Sequence, residues 1–82
     1  MHLEIITPDQ KVFGGDATSA TFPGIDGSFQ VLNNHSPLIG VLQAGSIVVQ
    51  PATGAAVTYR VDGGVVEVLN NQVVVLAESL LA

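Results

Sequence analysis

An all-β fold, a small sandwich or barrel, is what this sequence predicts, and three observations predict it. Thirteen valines, five isoleucines and five threonines make 23 of the 82 residues β-branched, while only two residues are Lys or Arg. That bias favours strands over helices. Turn signals cut the chain at short intervals, as a sandwich or barrel requires. Between them, apolar and polar residues alternate with a period of two.

The elements follow in order. His2 to Thr7 reads as a first strand, ended by Pro8-Asp9-Gln10. Val12 to Phe22 reads as a second, interrupted at Gly14-Gly15-Asp16 by an expected bulge. Pro23-Gly24-Ile25-Asp26-Gly27 is a turn into the strand Ser28 to Leu32. Asn33-Asn34-His35-Ser36-Pro37 is the one markedly polar loop, and Leu38 to Leu42 follows it. Ala44-Gly45 reads as a turn into Ser46 to Gln50, and Pro51-Ala52-Thr53-Gly54 as a hairpin connection. Ala55 to Val61, Gly64 to Leu69 and Gln72 to Ala77 complete the set, with turns near Asp62-Gly63 and Asn70-Asn71. Gly24, Gly27 and Gly54 are expected in turns with positive φ, and Gly63-Gly64 where a strand bends or crosses between sheets. Glu78 to Ala82 could start a helix.

Alternation assigns the faces. Val57, Tyr59 and Val61 share one, against Ala56, Thr58 and Arg60; Ile47 and Val49 repeat the pattern. Val48, Val65, Val74 and Leu76 break it, placing apolar groups on what should be the wet face. Either their strands are covered on both sides by the same chain, or these residues form a patch for a partner.

Length and charge exclude much. Eighty-two residues suffice for one small domain, spanning 1–82. Two cations, Lys11 and Arg60, against seven acids give a net charge of −5, which cannot neutralise a nucleic-acid backbone. No cysteine is present, which removes disulfides, thiol nucleophiles and cysteine-ligated metals. No apolar run approaches the roughly 18 residues of a membrane span, so no direct insertion is expected.

Catalytic constellations are hard to assemble. A triad would have to use His2 or His35 with a serine, and no strand-to-helix elbow presents Ser36. A metal site from His35, Asp26 and Asp16 lacks ligand spacing. Asp62 and Glu67 are the candidate acid pair, or two acids on a solvated face. No phosphate-cradling loop is formed around Gly63-Gly64 or Lys11. The expectation is no catalytic residue, no cofactor and no metal. Two polar tips around a short strand, Asp26-Gly27-Ser28 and Asn33-Asn34-His35, can share an end or an edge of a sandwich and form a binding surface, or be ordinary solvated turns.

The run from Pro23 to Leu38, Pro-Gly-Ile-Asp-Gly-Ser-Phe-Gln-Val-Leu-Asn-Asn-His-Ser-Pro-Leu, resembles the signature of the epsilon subunit of rotary ATP synthases. There a Gly-x-x-Gly turn, a short apolar strand and a His-x-Pro-Leu segment come in this order. Gly45-Ser46-Ile47, Gly63-Gly64-Val65-Val66-Glu67-Val68 and the opening Leu3 to Gly14 are similar to further family elements. The resemblance implies a flattened β-sandwich of about ten short, mostly antiparallel strands. It implies a non-catalytic central-stalk part on the cytoplasmic side of a bacterial inner membrane, between the gamma subunit and the membrane rotor ring, in a proton- or sodium-driven synthase. The family's ring contacts fall on Asp26, Gly27, Ser28, Phe29 and Gln30, and on Asn34, His35 and Ser36; Gly24, Gly45, Gly63 and Gly64 match its structural turns. The outward apolar residues become candidates for the gamma contact. Asn33-Asn34 stands where Pro-Gly is common, and Ser28 where many members have an acid. Many members continue into a helical hairpin; a chain ending at Ala82 is expected to have neither that brake nor ATP binding. The alternative class, a biotinyl or lipoyl carrier, needs a lysine at a central hairpin tip, and Lys11 lies near the N-terminus instead.

Overall fold

Six strands, β1 (His2–Ile6), β2 (Lys11–Gly24), β3 (Gly27–Leu32), β4 (Leu38–Pro51), β5 (Val57–Leu69) and β6 (Gln72–Ala77), account for the fold in a computed structural model that describes residues 1–81. The hydrogen-bonded order is β1-β6-β5-β4-β2-β3, with a further β1–β2 pairing that closes the sheet on itself. Of the six strand pairings, only β1–β6 is parallel.

The expected ten short strands are therefore six, because three of them serve two layers. In the first layer the β2 segment 11–16, β1, β6, the β5 segment 64–69 and the β4 segment 38–42 lie side by side. In the second, β3, the end of β2, the β4 segment 46–51 and the β5 segment 57–62 do so. Each of β2, β4 and β5 leaves one layer and continues into the other. The result is a flattened body of 27 × 27 × 19 Å.

Ala44-Gly45 and Asp62-Gly63 consequently lie inside β4 and β5, not in turns. They mark the corners, where β4 and β5 bend together in continuous register from Leu38↔Val68 to Val49↔Val57. Gly63 (φ 108°) and Gly64 (φ 153°) supply a backbone that a side chain would resist. Gly24 differs from its expectation too, since its φ is not positive. A Cβ there would meet the Gly27 carbonyl oxygen at 2.6 Å and the Phe29 ring at 3.0 Å, so space alone requires glycine.

Nor does the bulge fall at Gly14-Gly15, which pair in register with Glu4 and Leu3. The register slips at Val12, between Phe13↔Ile5 and Lys11↔Ile6, and again at Thr18, between Ala17↔Pro51 and Ser19↔Gln50. An extra residue at each site twists β2 toward its next neighbour. Asn70 (φ 52°) and Asn71 (φ 59°) close the β5–β6 hairpin with the paired positive φ of a type I′ turn. Residues 78–81 are not helical; Leu80 bridges Val61, and the Leu81 amide donates to the Arg60 carbonyl at 2.8 Å. Ala82 lies outside the described residues.

Alternation delivers the core. Ile47, Val49 and Val61 are fully buried, as their faces require, and join Leu3, Ile5, Phe22, Val31, Val66, Val73 and Val75. The Phe22 and Phe29 rings stack at 5.5 Å between centroids. Thr7 is the one buried polar residue among those described. Its hydroxyl donates to the Gln10 carbonyl at 3.2 Å and accepts from the Gln10 amide at 3.3 Å, which closes the β1–β2 turn.

Candidate docking surfaces

The two polar tips are held apart by β3. Asp26 lies in the β2–β3 turn and Gly27 opens β3, while Asn34, His35 and Ser36 follow its far end. Six extended residues span about 20 Å, so the tips mark opposite ends of one edge strand, not one end of the sandwich. Along it, Ser28 and Gln30 are exposed and Phe29 is half-buried against Phe22.

The second tip is tied from several sides. Asn34 has a left-handed φ of 61°, and its amide donates to the Asn71 side-chain oxygen at 2.8 Å. The Asn33 side-chain oxygen accepts from the terminal ammonium of Met1, which also donates to the Ala17 carbonyl at 3.1 Å. His35 Nδ1 lies 2.7 Å from the Ser36 carbonyl oxygen. The imidazole is thereby engaged with main chain and not with the Ser36 hydroxyl. Asp16 sits 3.8 Å from His2 and β3 separates Asp26 from His35, so the three candidate metal ligands are dispersed. Among the described residues no group of three His, Asp or Glu side chains could hold a metal ion. Asp62 and Glu67 lie on either side of the β5 corner, Asp62 opposite Ala44 and Glu67 between Ile39 and Val74, so they are not neighbours on one face.

A different surface stands out on the first layer. Cross-strand register lays Val41 on β4, Val65 on β5 and Leu76 on β6 in one row, with Ile6 of β1 beyond. The adjacent row holds Ile39, Glu67, Val74 and Glu4. Ile39 is 74% exposed and Leu76 57%. Two shallow depressions in this face share Ile39 and Glu67 as walls. The period-breaking Val65, Val74 and Leu76 thus belong to one patch, whereas Val48 stands apart in the second layer, opposite Thr21 and Thr58. Of the two readings left open by the sequence, the structure supports an uncovered face. Ile39 and Val41 were not singled out by alternation. Their signal is the unbroken apolar run around Gly40, which has no wet side.

No helix of the described residues is long and apolar enough to cross a membrane. Residues 1–82 match the family described as ATP synthase, delta/epsilon chain, beta-sandwich domain. The ATP synthase epsilon chain of Sulfurimonas denitrificans is 40% identical over 82 residues, which cover 100% of this chain and 63% of that one. That of Chlorobium limicola is 33% identical over 78 residues, covering 95% of this chain and 89% of that one. This chain therefore spans less than two thirds of the first relative and most of the second. Among solved structures, a chain in the central stalk/c-ring assembly of the Tetrahymena thermophila mitochondrial ATP synthase superposes with a TM-score of 0.86 at 19% identity, over 99% of this chain and 65% of that one. A chain of the Euglena gracilis mitochondrial enzyme gives the same score over 96% and 51%. At such identity the likeness establishes the β-sandwich alone. By sequence, this chain belongs to the beta-sandwich domain family of ATP synthase delta/epsilon chains.

Proposed function

We propose that this chain is a coupling part of the central stalk of a proton- or sodium-driven ATP synthase, packed on the gamma subunit and resting on the membrane rotor ring. The observation that carries the reading is the uncovered row of Val41, Val65 and Leu76 beside Ile39 on the first layer. Contiguous exposed apolar surface of this kind marks an interaction site, and it fits a permanent neighbour such as gamma. The ring contact is assigned to the β3 edge: Asp26, Gly27, Ser28, Phe29 and Gln30 at one end, Asn34, His35 and Ser36 at the other. The match to the ATP synthase delta/epsilon beta-sandwich family and to bacterial epsilon chains supports this reading. The site of action is peripheral, on the cytoplasmic side of a bacterial inner membrane, and the relatives in Sulfurimonas and Chlorobium are consistent with that source.

The test is co-purification of the chain with the gamma subunit of the same organism, expressed together. A stable one-to-one complex is expected, and Leu76→Asp should abolish it without lowering the melting temperature of the free chain. Failure of the unaltered pair to associate would overturn the assignment.

A further inference from the structure

Glu67 sits where the fold has no use for a charge. On its own face of β5 the flanking residues are Val65 and Leu69, and across the ladder it faces Ile39 on one side and Val74 on the other. Residues directly opposite in a sheet lie about 5 Å apart, so the carboxylate is ringed by aliphatic groups. Glutamate is also a poor strand former compared with the valines around it. Among the described residues it makes no ion pair and no side-chain hydrogen bond. Glu4, at the other end of the same row, offers the contrast, because Lys11 Nζ lies 3.5 Å from its Oε1. The other cation of the chain, Arg60, lies on the distant segment of β5 that pairs with Ser46 in the second layer.

A partner that covers Ile39, Val65 and Leu76 must also cover Glu67. An ionised carboxylate stripped of water and left unpaired is strongly unfavourable. A second copy of this chain would bring another Glu67 and another net charge of −5 to the face, so self-association is disfavoured.

We infer that Glu67 is the specificity-determining residue of this face, and that the surface docking here is apolar and carries one Arg or Lys directed at the Glu67 carboxylate. The inference rests on the reading above that the face docks on gamma, and adds to it the chemistry by which gamma is chosen. The aliphatic ring excludes water from the pair, and the pair rejects any apolar surface without a cation.

The experiment measures the affinity of the full chain for the gamma subunit of the same organism, at low and high salt. Glu67→Gln, nearly isosteric, should weaken binding by about tenfold to a hundredfold and flatten the salt dependence. Glu67→Lys should abolish binding, and reversing the charge of one basic side chain of gamma should restore it. Since position 67 is exposed, both variants should melt with the unaltered chain. Glu67→Gln binding within twofold of the unaltered chain, while Leu76→Asp abolishes binding, would overturn the inference and leave the docking face intact. Full affinity in Leu76→Asp would overturn both.

Discussion

Gly64 and Gly54 both carry a positive φ, yet their side-chain replacements meet different surroundings. A Cβ on Gly54 finds nothing within 4 Å, whereas one on Gly64 would lie 2.4 Å from the Leu76 carbonyl oxygen and 2.9 Å from Ala77 Cα. Gly54→Ala is charged only for its backbone conformation, about 1 kcal/mol. Gly64→Ala must also push β6 away from β5, so the loss should reach roughly 2 kcal/mol or more, a fall in melting temperature of about 10 °C in a chain this small. Thermal denaturation of the two variants side by side should show that order; equal shifts would mean that the contact with β6 relaxes freely. The sequence placed Gly63-Gly64 at a bend between sheets, and the structure has it there. Gly24 was misread because close approach of the Phe29 ring leaves no trace in local sequence, whereas a turn dipeptide does.

At the level of elements, Phe22 joins the two halves of the β2–β3 hairpin to the interior. It is fully buried, stacks on Phe29 and follows the point where β2 enters the second layer. Phe22→Ala should remove about 3–5 kcal/mol. An 82-residue chain has only about 4–12 kcal/mol in total, so urea titration should find the variant unfolded or barely folded, and a loss below about 1 kcal/mol would show that the core closes over the gap. Strand existence and facing were legible because β-branched residues and alternation are local signals. Strand continuity was not. A glycine in mid-strand looks the same whether the chain reverses or merely turns a corner between layers. At Gly45 the deciding fact is tertiary, since a Cβ would lie 2.8 Å from Pro23 Cβ.

For the molecule as a whole, the exposed face and the β3 edge are separate surfaces, one in each layer, and they should fail separately. Asp26→Lys and His35→Ala alter groups at the two ends of β3 without touching the core. Each should lower ion-driven ATP synthesis in a reconstituted synthase while leaving the melting temperature of the free chain within a few degrees. A parallel loss of melting temperature would reassign both residues to stability. The candidate ring contacts come from the resemblance carried by Gly-x-x-Gly and His-x-Pro-Leu; the structure adds only their places along β3 and at its two ends. The apolar face was only half readable: Val65, Val74 and Leu76 announced themselves by breaking alternation, but their union with Ile39 and Val41 depends on β4 and β6 flanking β5. Glu67 drew notice as one of two acids; its setting among aliphatics exists only once the three strands are paired.

The sharing of β2, β4 and β5 between layers has a mechanical consequence. In a sandwich of two separate sheets, sideways load is resisted by interlocking side chains, which can slip. Here a force applied at Ile39 or Val65 enters strands that continue into the other layer as the same polypeptide. Sliding one layer over the other would require stretching covalent backbone at three corners. The body should therefore respond to shear as a stiff wedge, delivering displacement at one surface to the other with little lost between them.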